Sequence, residues 1–291
     1  MATQKTTEAR TGGTKKKTRT SKNHKRSRTI ASRRDKYDCY QRSVQEPESQ
    51  CRFFERVFRN EYGRRPLILR EDFCGTAAVC CEWVRKKPDR RACGYDLDPE
   101  PLAWGEEHNR APLDEEARSR VKLIREDVRK VTGPKADVVS AENFSYFIFT
   151  TRDELRGYLQ AARRNLADEG VMVLDIMGGS EVIEEDREET RRVDGFTYIW
   201  EHKRFDPINN LATYFIHFKF RDGSKIKRAF RYDWRVWTIP ELRELLLEAG
   251  FSRVDVYWEG ADEDGDGNGI FRRQKSAPAD PAWIAYVVAV K

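Results

Sequence analysis

Glu71, Asp96 and Asp127 each stand near the C-terminal end of a short apolar run, and the first two are separated by a turn containing Gly75. Leu67, Ile68 and Leu69 read as a buried strand. Gly75 lets the backbone bend where a Cβ would clash, and Ala77, Ala78 and Val79 open a helix of small, closely packing residues. A strand, turn and helix of this kind point free helix N–H groups at a ligand. About 20 residues on, ACGYDLD ends in Asp96, a carboxylate suited to a ribose diol. The two features together predict a cofactor containing adenosine.

The elements that position these groups follow in alternation. Phe53, Phe54, Val57, Phe58 and Tyr62 recur at helical spacing and predict a helix packed on the sheet. Ahead of it, Tyr37, Tyr40, Gln41, Ser43 and Gln45 form a polar and aromatic stretch that reads either as ordinary surface or as a cover over the cofactor. Pro99 to Asn109 reads as a helix with Leu102, Ala103 and Trp104 inward, VKLIREDV as a third strand ending at Asp127, and ADVVSAENFSYFIF as a fourth ending in a polar step at Glu142, Asn143 and Ser145. Thr151 with Glu154 predicts a capping box for the next helix, and VMVLDIMGG a fifth strand.

Then the rhythm changes. Phe196–Trp200, Leu211–Phe220 and Lys225–Arg231 are strand-like runs joined by DPINN and RDGS turns, which predict an antiparallel insertion at about residues 194–234. A second capping box, Thr238 and Glu241, starts a helix stopped by Gly250, and SRVDVYWE and WIAYVVAVK are expected to pair as an antiparallel hairpin. The fold class expected is α/β, a doubly wound Rossmann-like mixed sheet of seven strands with an antiparallel last strand, plus a small antiparallel β insertion after strand five. Residues 1–34 read as a basic tail, 35–64 as a helical cap and 65–291 as the main domain.

Charge divides the chain sharply. Residues 1–34 carry 12 Lys/Arg and one acid, a net +11, leaving 43 basic against 48 acidic residues, a net −5, in the remainder. The tail cannot bury enough apolar surface to fold alone, and its charge suits weak, salt-sensitive contact with nucleic-acid phosphates. No run approaches the roughly 18 apolar residues of a membrane span, so a soluble, cytoplasmic protein is expected. The six cysteines have no metal-ligand spacing and read as reduced, mostly buried thiols. The run Asp262 to Gly269 fits half of a calcium-loop pattern, but its twelfth position is Arg273, and an acidic hairpin loop is the expectation; no metal site is assigned.

The order of elements, the Cys74-Gly75-Thr76 turn, Asp96, Asp127 and the reversed final strands together resemble the class I S-adenosylmethionine-dependent methyltransferases over about Leu67 to Lys291. In that family the first motif runs acid-x-Gly-x-Gly-x-Gly; here Glu71, Phe73, Gly75 and Ala77 occupy its positions, two glycines fewer. The resemblance implies S-adenosyl-L-methionine as cofactor, with the Glu71–Ala77 backbone, including Phe73 and Cys74, along its methionine part, Asp96 on the ribose hydroxyls, Leu97 on adenine, and Asp127 with Val128 at the adenine edge. Tyr40, from the stretch that reads as a cover, and Asn143, at the end of the fourth strand, are added to the cofactor set from their positions.

Catalytic candidates come from strand ends and the insertion. Asn143-Phe144-Ser145-Tyr146 has the Asn-x-x-Tyr spacing of an amino-methylating motif without its prolines, so Asn143 and Tyr146 are candidates, with a milder reading of Asn143 and Phe144 as pocket lining. Trp200 and His202 are further positions of interest. Arg235, among Tyr232, Trp234 and Trp237, is a candidate for holding an acidic acceptor. The inserted β layer resembles the acceptor-covering layer of small-molecule N-methyltransferases and favours a small acceptor methylated on nitrogen or oxygen. The alternatives are an RNA or ribosome-associated methyltransferase using the tail, an NAD(P)-dependent oxidoreductase, disfavoured because GxGxxG is absent, and a non-catalytic cofactor-binding scaffold.

Overall fold

The computed structural model describes residues 28–262 and 267–291. Most of the basic tail, and the middle of the acidic Asp262–Gly269 run, therefore lie outside the described residues. Residues 29–34, grouped with the tail on composition, instead hold to the body: the Ile30 N–H donates to Asp222 and the Ala31 N–H to Ser224. Ile30, the only large aliphatic side chain after Met1 in that stretch, supplies the apolar contact.

Helix α1 (Lys36–Val44) is N-capped by Asp35, which accepts from the Tyr37 and Asp38 N–H groups, and α2 (Pro47–Tyr62) buries Phe53, Phe54, Val57 and Phe58 before Gly63 ends it at positive φ. Then come β1 (Ile68–Asp72), α3 (Ala78–Lys86), β2 (Arg91–Asp96), α4 (Pro99–Gly105), α5 (Glu115–Ser119), β3 (Val121–Arg125), β4 (Ala136–Ala141), α6 (Arg152–Asn165) and β5 (Leu166–Gly178). Helix α4 runs on into a π turn at Glu106–Arg110, and Ala103, expected inward, faces solvent.

Strands β6 (Arg187–Val193), β7 (Phe196–Asp206), β8 (Leu211–Lys219) and β9 (Lys225–Arg235) make a separate antiparallel sheet in that order. Helix α7 (Ile239–Glu248), β10 (Arg253–Ala261), β11 (Gly267–Gln274) and β12 (Trp283–Val290) return to the main sheet. Both capping boxes form as expected, Thr151 with Glu154 and Thr238 with Glu241.

The main sheet has the order β11-β10-β12-β5-β4-β1-β2-β3, with β3, β2, β1, β4 and β5 parallel. It is the doubly wound mixed sheet expected, with eight strands rather than seven. β10 and β12 pair antiparallel as anticipated, but the chain first leaves to form β11 on the outer edge. The chain steps outward from β1 through β2 to β3, then crosses back to β4 on the other side of β1. That reversal opens a crevice beyond the C-terminal ends of β1 and β4, the place where open α/β sheets bind ligands.

Two apolar clusters cover the faces of the main sheet, and a third, built on Cys39, Phe196, Ile216, Phe218 and Phe220, binds α1 to the second sheet. All six cysteines are unpaired, five of them buried. No helix among the described residues is long and apolar enough to cross a membrane.

Candidate active site

The loop after β1 keeps the shape of a glycine-rich turn with one glycine of the usual three. Phe73, Gly75 and Ala77 have φ of 56°, 50° and 56°, a left-handed residue at every second position. For Phe73 and Ala77 that conformation costs roughly 1–2 kcal/mol each, so the surrounding structure imposes it. Packing supplies the restraint: the Phe73 ring turns away into Phe149 and Tyr158, at 6.0 and 5.5 Å between centroids, and Ala77 is wholly buried.

Ala77 cannot cap α3 with its side chain, so Glu71 does it from the strand, its carboxylate accepting from the Cys80 N–H at 3.0 Å. Burial pushes the Glu71 carboxyl up to about 7. Glu71 is thereby a support for the loop, and Cys74 is buried beneath it.

Asp96 meets the loop directly. One of its oxygens accepts from the Gly75 N–H at 2.8 Å and the other from the Asp98 N–H at 2.9 Å, so the turn and the carboxylate face each other across the crevice. Desolvation holds its pKa above the ordinary aspartate range despite these bonds. A Cβ placed on Gly75 would meet no atom within 4 Å, which leaves the space above the turn open. Leu97, beside Asp96, is 58% exposed and stands free at the mouth of the crevice.

Helix α1 closes over the loop. Thr76 donates its hydroxyl to Gln41 or Gln45, at 3.1 and 3.3 Å, while Asn109 donates to both the Thr76 carbonyl and Gln41. Tyr40 on the same helix turns into the adjoining cavity.

Four expected residues are engaged elsewhere. The Asp127 carboxylate is clamped by the Arg129 guanidinium, at 2.7 and 3.0 Å, which also holds its pKa below the usual range; an adenine contact would compete with that pair. Val128 is buried in the core and its carbonyl accepts from Arg70, so its side chain does not reach the crevice. Tyr146 is fully buried and its hydroxyl donates to the Asp175 carbonyl, which removes it from the catalytic candidates. Arg235 is removed too: it pairs with Glu241 at 2.9 Å, donates to the Thr150 carbonyl and stacks on Trp237. Without the prolines of the motif it was compared with, the chain passes from the left-handed Asn143 and Phe144 into a 3-10 turn at Ser145–Ile148, in which Tyr146 is buried.

Asn143 remains at the site. It and Phe144 have φ of 57° and 56°, and their N–H groups both donate to the buried Asp175 carboxylate, at 2.6 and 2.8 Å. Burial raises the pKa of Asp175 and of its neighbour Glu142, and the Asp175 carboxylate adds to the rise at Glu142. Asp175 is the residue that fixes this loop, and sequence reasoning passed over it inside an apolar strand.

Beyond Asn143 and Phe144 lies a cavity of about 470 Å³ between the main sheet and the antiparallel sheet. Its walls are aromatic: Tyr40, Tyr198, Trp200, Tyr232, Trp234 and Trp283. Its polar groups include His202 on β7, Glu189, Thr190 and Arg191 on β6, and Glu259 on β10. Strand β6 was not expected, because REETRRV is an exposed edge strand with one apolar residue and so carries no hydrophobic period. The usable signal was the spacing of Glu189 and Arg191, two apart and hence on one face of a strand.

The arrangement is that of the S-adenosylmethionine-dependent methyltransferase fold. A methyltransferase of that type from Clostridium acetobutylicum superposes with a TM-score of 0.63 at 16% identity, covering 87% of this chain and 96% of that one. The sugar N-methyltransferase KedS8 of Streptoalloteichus gives 0.58 at 19%, over 88% and 92% of the two chains. CalS10, an amino pentose methyltransferase of Micromonospora echinaspora, gives 0.61 at 18%, over 88% and 96%. No family model matches the chain, and a search of curated proteins finds no match.

Proposed function

We propose that this protein transfers a methyl group from S-adenosyl-L-methionine to the amine nitrogen of a small molecule. The observation that carries the reading is that helix α1 serves two neighbouring spaces: Gln41 holds the turn at Thr76, beside the open space above Gly75 and the Asp96 carboxylate, and Tyr40 lines the aromatic cavity that also takes in Asn143. The likeness of fold to N-methyltransferases of sugars supports the choice of nitrogen.

The cofactor supplies a methyl group already activated on a sulfonium, so the protein's work is alignment and exclusion of water. The backbone of Glu71, Phe73, Cys74, Gly75 and Ala77 would receive the methionine part, Asp96 the ribose hydroxyls and Leu97 the adenine. The Gln41, Gln45, Thr76 and Asn109 network holds α1 over the turn and keeps water out. An amine suits the cavity because aromatic faces attract a cation and Glu189 supplies a counter-charge.

Calorimetry of the full chain with S-adenosylmethionine, its demethylated product and NAD tests the first half. Binding of the first two and not the third is expected, and the reverse pattern would replace the reading with a dehydrogenase. The basic tail supports a separable role in polyanion contact; removing residues 1–27, short of the segment that docks on Asp222 and Ser224, is expected to abolish salt-sensitive RNA binding while leaving donor affinity unchanged.

A further inference from the structure

One base stands in the cavity with a carboxylate beside one ring nitrogen and nothing bonded to the other. His202 is 4% exposed, and neither of its nitrogens has a hydrogen-bond partner. Its Nε2 lies 3.3 Å from a Glu189 oxygen on the neighbouring strand, a charge contact without hydrogen-bond alignment. Rings fix its orientation: Tyr214 and Trp200 meet it edge-on, at 5.2 and 6.1 Å and interplanar angles of 89° and 82°. Leaving buried polar nitrogens unpaired is costly, and a ligand that supplies a partner relieves the cost. Glu189 is held below the usual carboxylate range, chiefly by His202 and also by Arg187, and so stays ionised beside the ring.

We propose that His202 is the proton acceptor for a primary or secondary alkylammonium seated in this cavity, with Glu189 as the positioning residue that balances the imidazolium; this rests on the methyl-transfer reading above. An alkylamine arrives protonated at neutral pH and has no free lone pair. One N–H proton passes to the His202 ring, and the Glu189 carboxylate 3.3 Å away stabilises the imidazolium that forms. The nitrogen lone pair then forms the new N–C bond as the C–S bond breaks, its electron pair leaving on sulfur. The product is a methylated ammonium and a neutral thioether, and the imidazolium returns its proton to solvent.

The other charged or titratable groups around the ring are Arg187, its register partner on β6, and Tyr214, its partner on β8. Across the cavity stand Arg191, Tyr232, Tyr40 and Glu259. Arg191 is engaged with the Ser43 carbonyl and the Tyr198 ring, so it does not neutralise Glu189.

The test uses the full chain, isotope-labelled methyl donor, and benzylamine with benzyl alcohol as its uncharged counterpart. His202→Asn is expected to lower kcat for benzylamine by about 100-fold or more at neutral pH, with donor affinity and Tm retained, and the deficit should shrink as rising pH supplies free amine. Glu189→Gln should lower it about 10-fold with the same pH recovery. A His202→Asn rate within about twofold of the parent overturns the proposal. Should the parent not turn benzylamine over, the His202 ring resonances decide: a response to benzylamine and not to benzyl alcohol supports the assignment, and an equal or absent response sinks it. Intact donor binding with an inert His202 defeats this inference alone, whereas failure of donor binding defeats the methyl-transfer reading beneath it.

Discussion

The turn proposed for the donor and the cavity proposed for the acceptor are built from different materials. At the proposed donor end the groups are backbone: three alternating left-handed residues, the Gly75 N–H on Asp96, and a helix start capped from the strand by Glu71. At the far end they are side chains, an aromatic box with His202 and Glu189 in its wall. Backbone geometry tolerates changes of residue provided the new side chains can be packed, which is how Phe73 and Ala77 stand where glycine is usual in the methyltransferases this chain resembles. A side-chain site has no such freedom. The same fold can therefore keep one donor while its acceptor surface changes completely.

The largest effect expected from breaking this contrast is at Asp96. Its carboxylate both holds the Gly75 turn and would accept from the ribose diol, so Asp96→Ala should weaken donor binding about 100-fold, on the order of 3 kcal/mol for two charge-assisted hydrogen bonds. Calorimetry with S-adenosylmethionine measures it, and equal affinity in variant and parent would take Asp96 out of the site. Next comes Glu71. Because burial raises its pKa to about 7, the folded state holds its proton where the unfolded chain has lost it. Its contribution to stability is thus fully present below the ordinary glutamate range and fades as pH rises through about 7, by up to roughly 3 kcal/mol. Urea unfolding of Glu71→Gln between about pH 5 and pH 8 should show a flatter profile than the parent, with a residual slope of the same sign from Glu142 and Asp175.

The contrast also explains what could be read from the chain alone. The framework of the proposed donor end was legible because its elements follow in sequence: strand, turn and helix within Ile68–Lys86, and Asp96 at the end of the next strand. Long, periodic helices and both capping boxes were legible for the same local reason. The acceptor end draws on strands brought together from a distance. Trp200, Tyr232 and Trp234 were visible as aromatic runs, but Glu189 sits on an edge strand whose charges conceal it, and Trp283 reaches the cavity only through the β5–β12 pairing. Tyr146 and Arg235 misled for one reason: a polar group on an aromatic side chain, or a cation among aromatics, looks free until its partner is seen. Asp175 and Glu241, the partners, lie 29 and 6 residues away.

A smaller effect is expected at Trp200, which stacks on Tyr214 at 4.9 Å and 16° and lies 6.1 Å from Trp234. Trp200→Ala removes a cation-attracting face from the acceptor end and nothing from the donor end. The KM for an amine should rise about 10-fold, a cation–π contribution of about 1–2 kcal/mol, with donor affinity unchanged. A parallel loss of donor affinity would show that the two ends are not separable.

The smallest change sharpens the comparison most. A methyl group added at Gly75 meets no protein atom, so Gly75→Ala carries only the penalty of an alanine at φ 50°, about 1 kcal/mol of stability. The chain already bears that penalty at Phe73 and Ala77, and the fold should survive a third instance. The space the methyl enters is the space assigned to the donor. Donor affinity should then fall by more than stability does, whereas a variant that loses about 1 kcal/mol of stability and binds S-adenosylmethionine as the parent does would place the donor away from this turn. Thermal unfolding and calorimetry on the same sample separate the two, because the strain acts on the folded chain with or without ligand and the steric conflict acts only when the ligand is bound.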